Sequence, residues 1–385
     1  MLTADVAVVG GGPAGAAAAI RLARAGRDVV LFDKATFPRD KCCGDGLTTG
    51  ALRRLERLGL KPEMVASWHS VNDVWIRSTS GRRVQFPLPA TGGVFAAIAR
   101  RTDLDAALLD VARSAGVKVH DGHAVTGANL DHGGALVSLD VDGVGPALAP
   151  YVIAADGMWS PLRKALCGPE EPAYLGEWHA FRQYFAGVSS AAGSHLWVWF
   201  EPDLLPGYAW SFPLGQGRSN VGFGIRRTTG RPTREMKQQW DDLLARPHIR
   251  EVLGEGATPE APHKAWPIPA RIGRVRLVAG DGRVLFVGDA ARATDSMTGE
   301  GIGQALETGE LAADAIMAGG TSAAGVAAGY QRAVRTGMAI DDRLASALSR
   351  VLHRVNGARG AIRLAGATNW TRHNFARSRM LSRSP

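Results

Sequence analysis

One hexapeptide constrains this chain more than any other feature. Gly10-Gly11-Gly12-Pro13-Ala14-Gly15 stands between a strand-like run at residues 4–9 (ADVAVV) and an alanine-rich run at 16–25 that Gly26 closes. The first run predicts a buried strand and the second a helix of small residues. Residues 27–32 predict a second buried strand that ends at Asp33. A strand–glycine loop–helix–strand unit with G-x-G-x-x-G spacing is a dinucleotide-binding start. Gly10 permits the tight turn, Gly12 lets a pyrophosphate approach the backbone, and Gly15 allows close helix–strand packing. The helix that starts near Pro13 and Ala14 offers free N–H groups and a partial positive charge to phosphates. Asp33, 18 residues past Gly15 and followed by Lys34, sits where a carboxylate takes ribose hydroxyls.

The second half of the chain points to FAD rather than a nicotinamide nucleotide. Residues 283–287 predict a buried strand, and Gly288-Asp289 follows it, well placed for a carboxylate to hydrogen-bond a ribityl chain. Thr298-Gly299-Glu300-Gly301-Ile302-Gly303 then opens a helix expected over about 300–317. A helix N-terminus aimed at the N1–C2=O edge of a flavin stabilises the negative charge of its reduced form. A third element, Ile153-Ala154-Ala155-Asp156-Gly157 with Ser160 and Arg163, is either part of the cofactor site or an ordinary strand-to-helix turn.

In this order, the three elements resemble the p-hydroxybenzoate hydroxylase-like flavoproteins, and more narrowly the geranylgeranyl reductase family. Three further segments carry the narrower resemblance. Phe37-Pro38-Arg39-Asp40-Lys41-Cys42-Cys43-Gly44-Asp45-Gly46-Leu47 is similar to that family's cysteine-glycine loop. Pro206-Gly207-Tyr208-Ala209-Trp210-Ser211-Phe212-Pro213, with Asn220-Val221-Gly222-Phe223-Gly224 after it, matches its Y-x-W-x-F-P signature and following glycine pair. The tail, Asn369-Trp370-Thr371-Arg372 with Asn374-Phe375-Ala376-Arg377, resembles C-termini of actinobacterial relatives. Two places depart from the family pattern. Cys42 stands where relatives carry proline, and Arg292, Asp295 and Ser296 stand where they commonly show glycine and then asparagine-proline.

The resemblance implies an α/β fold: a Rossmann-like FAD-binding domain, an antiparallel substrate sheet and C-terminal helices. The expected division gives 1–65, 95–165 and 275–325 to FAD, 66–94 and 166–274 to substrate, and 326–385 to a helical region. The implied activity is reduction of C=C bonds in a geranylgeranyl-type prenyl chain by hydride transfer from reduced flavin. An unactivated alkene also needs a dry site and a positioned acid. Cys43 is the candidate near the reacting carbon, either giving a proton or shaping the pocket. Tyr208, Trp210 and Phe212 alternate along one strand and so share a sheet face. They are read as an apolar wall beside the flavin, with Ser296 near the flavin face, or as core packing. Tyr208 and Trp210 join Cys43 as candidates for the chemistry. The cofactor candidates are Gly10, Gly12, Pro13, Ala14, Gly15, Asp33, Lys34, Arg39, Cys43, Gly44, Arg101, Asp156, Gly157, Gly288, Asp289, Gly299, Gly301 and Ile302. Arg101, at a helix start, resembles the superfamily's cofactor-contacting arginine.

Charge and cysteine usage bound the surroundings. Eleven arginines against two aspartates lie between Gln331 and Pro385, so the tail carries the whole formal excess of +9. That excess is a solvated helical surface or an attraction to anionic lipid headgroups or substrate. No nucleic-acid module accompanies it. Three cysteines, two of them adjacent, form no disulfide framework, and no Cys/His spacing predicts a metal site. With no secretory signal and no membrane-length apolar run expected, the chain reads as cytoplasmic, with peripheral association at the inner membrane surface as an option. Expected partners are an apolar or prenyl-lipid substrate and an electron donor, NAD(P)H or a reduced carrier. Rival activities are an FAD-dependent monooxygenase, which the polar Asp295 and Ser296 suit, and a flavin halogenase. The halogenase needs a lysine that residues 62–117 lack, and Trp197-Val198-Trp199-Phe200-Glu201-Pro202 imitates its aromatic string only ahead of the matching position. A non-catalytic flavoprotein that merely holds a lipid is the remaining alternative.

Overall fold

The computed structural model describes residues 1–338, apart from 90–92, 169–170, 172–173, 228–234, 297 and 320. The expected helices beyond 338, the basic tail and the Asn369 and Asn374 motifs lie outside the described residues. The chain begins with β1 (Val6–Val9), α1 (Pro13–Arg24), β2 (Val29–Asp33), β3 (Gly46–Thr48) and α2 (Thr49–Arg57). There follow β4 (Asp73–Arg77), β5 (Arg83–Pro87), β6 (Ala96–Ile98), α3 (Arg101–Ser114) and β7 (Lys118–Asp121). Next come β8 (Val125–Asp131), β9 (Leu136–Val141), β10 (Gly145–Ala149), β11 (Tyr151–Ala154) and β12 (Gly176–Ala186). Then run β13 (Leu196–Trp199), β14 (Tyr208–Gly215), β15 (Arg218–Arg226), α4 (Met236–Leu244) and α5 (Pro247–Leu253). The described part ends with β16 (Lys264–Pro269), β17 (Val284–Phe286), α6 (Ile302–Gly319) and α7 (Ala323–Gly337).

All four residues of β1 are buried, which a strand achieves only with helices or sheet on both faces. It lies between β11 and β2 in a six-stranded sheet ordered Val278–Ala279, β17, β11, β1, β2, β7. The β17–β11–β1–β2–β7 pairs are parallel, and Val278–Ala279 is antiparallel at the edge. The alanine run explains itself in packing terms. Ala16 through Ala19 are fully buried, and small side chains let α1 lie backbone-close against α6. Hydrophobic burial of this central layer supplies most of the local stability, at about 25 cal/mol per Å² of apolar surface.

The second large sheet is ordered Thr258–Pro259, β12, β15, β14, β13, β4, β5, with β16 also paired to β12. The alternating pattern at 178–226 predicts antiparallel strands, and β12, β15, β14 and β13 pair in that sense. One junction differs: β13 runs parallel to β4, because the chain reaches it by a long crossover. One face of this sheet packs on α4 and α5 through Phe181, Phe223, Trp199 and Trp240. The other face carries Tyr208, Trp210 and Phe212. A three-stranded antiparallel meander, β8–β9–β10, lies inside the 95–165 span and has no counterpart in the expectations above. Among the described residues no helix is long and apolar enough to cross a membrane.

Candidate functional site

The glycine loop closes on itself and leaves one opening. Gly10 adopts φ +107°, a left-handed conformation that favours glycine. A Cβ on Gly15 would sit 1.9 Å from the Gly10 carbonyl oxygen, so this contact is already full. Gly12 is the exception. The nearest atoms to a Cβ there are Nη2 of Arg39 at 3.6 Å and Nη2 of Arg101 at 3.9 Å. Helix α1 starts at Pro13 with Gly12 as N-cap, and no side chain caps it. Free amides and two guanidinium groups therefore face one space, which fits a diphosphate.

Asp105 holds these cations in place, and the sequence reading missed it. It is fully buried and accepts from Arg101 Nε at 2.7 Å and Nη2 at 2.6 Å. Arg39 Nη1 approaches its Oδ2 at 3.1 Å, while the Arg39 guanidinium stacks on Phe37 at 4.7 Å. The i,i+4 spacing of Arg101 and Asp105 at the start of α3 was the available signal. Asp33 is tied to the same loop. Its Oδ2 accepts from the Gly11 amide at 2.7 Å and its Oδ1 from the Ala35 amide at 2.8 Å. Each oxygen keeps a second lone pair for ribose hydroxyls. Lys34, next in line, is exposed.

At the same carboxyl-terminal edge of the central sheet, where β11 runs parallel beside β1, Asp156 Oδ2 accepts from the Leu162 amide at 3.0 Å. Its Oδ1 is buried with no hydrogen-bond partner among the described residues. Burial pushes its carboxyl up to about 6, against the pull of the Leu162 and Ser160 bonds. Gly157 beside it has φ +82° and open space around a Cβ position. Arg163, read with this element, is a structural clamp. It donates from Nη2 to the carbonyls of Ala290 (2.7 Å) and Arg276 (2.8 Å) and stacks on Phe286.

Gly288 and Asp289 form the turn after β17. The Gly288 amide donates to Thr308 Oγ1 at 2.9 Å, and Asp289 Oδ2 accepts from Lys41 Nζ at 3.1 Å. Lys41 also lies 4.5 Å above the Trp266 ring, so it bridges the two large sheets. In the turn before α6, Asp295 Oδ1 accepts from the Thr298 amide and hydroxyl at 2.7 and 2.8 Å. Ser296 is buried in that turn, ahead of Gly299, Gly301 and Ile302, where α6 begins. Glu300 accepts from the Thr48 hydroxyl, and burial with Asp295 nearby pushes its carboxyl up to about 7.

The aromatic wall is a ladder on one face of β14. Ring centroids of Tyr208 and Trp210 are 6.0 Å apart, and those of Trp210 and Phe212 are 5.9 Å apart. The Tyr208 hydroxyl donates to the Thr298 carbonyl, which joins the wall to the turn before α6. Trp210 Nε1 donates to Asn220 Oδ1 at 3.1 Å. The cysteine-glycine loop lies on this wall: a Cβ on Gly44 would meet Phe212 Cε2 at 3.2 Å and Trp210 Cε2 at 3.7 Å. Asn220 Nδ2 donates to the Cys43 carbonyl at 2.9 Å. Cys43 Sγ accepts from the Asp45 amide at 3.3 Å, and burial, then Asp45, pushes its thiol up, so it keeps its proton at neutral pH. Cys42 points elsewhere, donating from Sγ to the Lys264 carbonyl at 3.6 Å. Cys43, Gly44, Tyr208, Trp210 and Phe212 thus form one cluster, and Arg101, which reaches Cys43, joins it to the Gly12 cradle with Asp33 and Arg39. Among the described residues no group of three His, Cys, Asp or Glu could hold a metal ion.

Comparison with known proteins agrees with this geometry. The family described as FAD binding domain matches residues 3–317. The menaquinone reductase of Mycolicibacterium smegmatis is 38% identical over 343 residues, covering 83% of this chain and 78% of that one. Digeranylgeranylglycerophospholipid reductase 1 of Methanopyrus kandleri is 35% identical over 337 residues, covering 83% of each. In fold, the chain is similar to a geranylgeranyl bacteriochlorophyll reductase-like crystal structure from Thermoplasma acidophilum. The TM-score is 0.84 at 21% identity, over 99% of this chain and 97% of that one. The chain therefore belongs to the FAD binding domain family and, within it, to the geranylgeranyl reductase family of FAD-dependent oxidoreductases.

Proposed function

We propose that this flavoprotein saturates C=C bonds in the prenyl chain of a lipid, with a menaquinone tail as the substrate class suggested by the relatives named menaquinone reductase. The observation that carries the reading is the Cys43–Gly44 loop lying against the Trp210–Phe212 wall, with burial raising the Cys43 thiol above its ordinary range. When bound and reduced, FAD would supply a hydride to one alkene carbon. The chain's residues do the rest. The Gly12 amides with Arg39 and Arg101 hold the diphosphate, and Asp33 and Asp289 accept from sugar and ribityl hydroxyls. Tyr208, Trp210 and Phe212 exclude water and orient the apolar chain. Cys43 gives its proton to the other alkene carbon.

Anaerobic incubation of the dithionite-reduced protein with a prenyl lipid tests this. The product should gain two hydrogens per reacted double bond, read by mass. A lipid recovered at unchanged mass would end the proposal. The polar turn at Asp295, Ser296 and Glu300 favours a monooxygenase as the second reading, and stoichiometric oxygen uptake with an added oxygen atom in the product would establish it. Reduction of the bound flavin by NADPH, NADH or a reduced carrier, compared side by side, identifies the donor. The arginine-rich tail fits peripheral binding to anionic lipid, where such substrates reside.

A further inference from the structure

Asn220 is 0% exposed on β15, with Tyr184 of β12 as its direct partner on one side and Phe212 of β14 on the other. Directly opposed residues share a sheet face, so Asn220 lies on the face that carries the aromatic wall. Its side chain bonds to the wall and to the cysteine-glycine loop at once. Oδ1 accepts from Trp210 Nε1 at 3.1 Å. Nδ2 donates to the Cys43 carbonyl at 2.9 Å and to Asp45 Oδ2 at 2.8 Å. These partners fix which end of the amide is which, because an indole N–H only donates and a backbone carbonyl only accepts.

That set of bonds selects asparagine. It requires one acceptor and two donors on a short side chain. Ionised aspartate has no donor and would face the Asp45 carboxylate, and serine has a single hydrogen to give. Glutamine carries the same groups one methylene further out. The loop end of the junction is itself anchored. Asp45 Oδ2 also accepts from the Tyr184 hydroxyl at 2.7 Å, and the Asp45 carbonyl accepts from the Ala99 amide at 3.0 Å. The guanidinium groups of Arg100 and Arg182 lie 4.4 and 4.1 Å from the centre of the Tyr184 ring. The direct contact of loop and wall is non-directional by comparison. Cβ positions on Gly44 and Gly46 would fall 3.2 and 3.3 Å from Phe212 Cε2. Dispersion contacts of that kind let a loop slide over the rings, whereas an amide bonded at both ends does not.

We propose that Asn220 is the positioning residue that sets Cys43 and the Trp210 ring relative to one another, so that thiol and wall meet the same stretch of prenyl chain. This rests on the proposed roles of Cys43 and the wall in prenyl reduction. Asn220 acts through its two partners, and no proton or electron passes through it. A misplacement of about 1 Å at reacting groups costs on the order of a hundredfold in rate, so freeing the loop lowers kcat while the cofactor stays bound.

Asn220→Ala removes all three bonds, and Asn220→Ser, which keeps one donor and one acceptor, is the milder lesion should alanine impair folding. The first readout is independent of turnover. In a Cys42→Ser background, FAD-loaded N220A should be alkylated at Cys43 by iodoacetamide at least about tenfold faster than its parent, as local opening of the loop requires. Peptide mass locates the label. The near-UV circular dichroism band that Trp210→Phe removes should lose intensity in N220A. In prenyl reduction, kcat should fall at least about tenfold with KM and the Kd for FAD within about threefold of the parent, and N220S should fall between. Parental alkylation and dichroism, or a parental kcat, overturns the proposal. So does a loss of kcat that follows loss of FAD and of global stability in both variants, since that marks a merely structural residue. A wild type that reduces no prenyl alkene overturns the reading on which this rests, whereas parental alkylation of Cys43 in N220A overturns the positioning itself, so the two failures are distinguishable.

Discussion

The indole of Trp210 rests on Gly222 of the neighbouring strand: a Cβ at Gly222 would sit 2.4 Å from Trp210 Cζ2 and 2.7 Å from Cε2. The two residues are direct partners in the β14–β15 register. The glycine after the Y-x-W-x-F-P signature is therefore the seat of the indole, and Asn220 fixes the ring's N–H. Gly222→Ala would also crowd the Phe181 carbonyl at 2.4 Å. We expect it to lose about 1–3 kcal/mol of stability, to keep its yellow colour, and to slow lipid reduction about tenfold. Near-UV circular dichroism checks the ring position, and a spectrum identical to wild type would contradict the seat.

Gly12 and Gly15 should fail in different ways. The Cβ of Gly12→Val meets no atom nearer than the flexible Arg39 guanidinium at 3.6 Å, so the protein should fold and purify colourless. Gly15→Val drives a side chain into the Gly10 carbonyl, so soluble folded protein should be lost. A fully flavinylated yellow Gly12→Val preparation would refute the cradle.

Asp289→Ala leaves Lys41 without its carboxylate and removes the proposed ribityl acceptor. Loss of one charge-assisted hydrogen bond weakens binding by about 1.5–3 kcal/mol, a tenfold or larger rise in Kd for FAD. Fluorescence titration of the FAD-free protein measures it. An unchanged Kd removes Asp289 from the site.

Asp156 makes stability depend on pH. Its folded carboxyl titrates at about 6 against an ordinary 3.8, so between these values the folded state binds more protons than the unfolded chain. Stability therefore falls as pH rises through that window, and the loss persists at neutral pH. Asp156→Asn keeps an acceptor for the Leu162 amide and should be more stable at neutral pH by on the order of 2–3 kcal/mol. Urea unfolding at saturating FAD, on either side of the window, reads the difference. A parallel pH dependence in the variant would place the titration elsewhere.

The eleven arginines between Gln331 and Pro385 lead us to expect sedimentation with anionic liposomes at low salt and release at high salt. Binding to neutral and anionic vesicles alike, or to neither, would exclude an electrostatic association.

Much of the local geometry at the proposed cofactor end was legible because its signals are local. The strand, the glycine spacing, Asp33 and Gly288-Asp289 lie within short segments whose geometry follows from backbone sterics and helix termini. The β8–β9–β10 meander was missed although Val137, Leu139 and Val141 alternate as a half-buried strand should. Glycines and acidic residues around it dilute that pattern. Cys43 and the Tyr208–Trp210–Phe212 face were legible by resemblance and period, but their surroundings were not. Asp45 meets Tyr184 across 139 positions of sequence, and Lys41 meets Asp289 across 248.

By itself the sequence determined a dinucleotide cradle, the alternation that puts three aromatic rings on one sheet face, and a thiol on a glycine-rich loop. Those follow from spacing, which the backbone converts directly into geometry. Tertiary structure alone decided that Asp105 gathers Arg39 and Arg101 at the cradle, that Gly222 seats Trp210, and that a buried Asp45 stands behind Cys43. Those pairings depend on how two sheets fold over one another, and burial of charge has no meaning until the packing exists to exclude water.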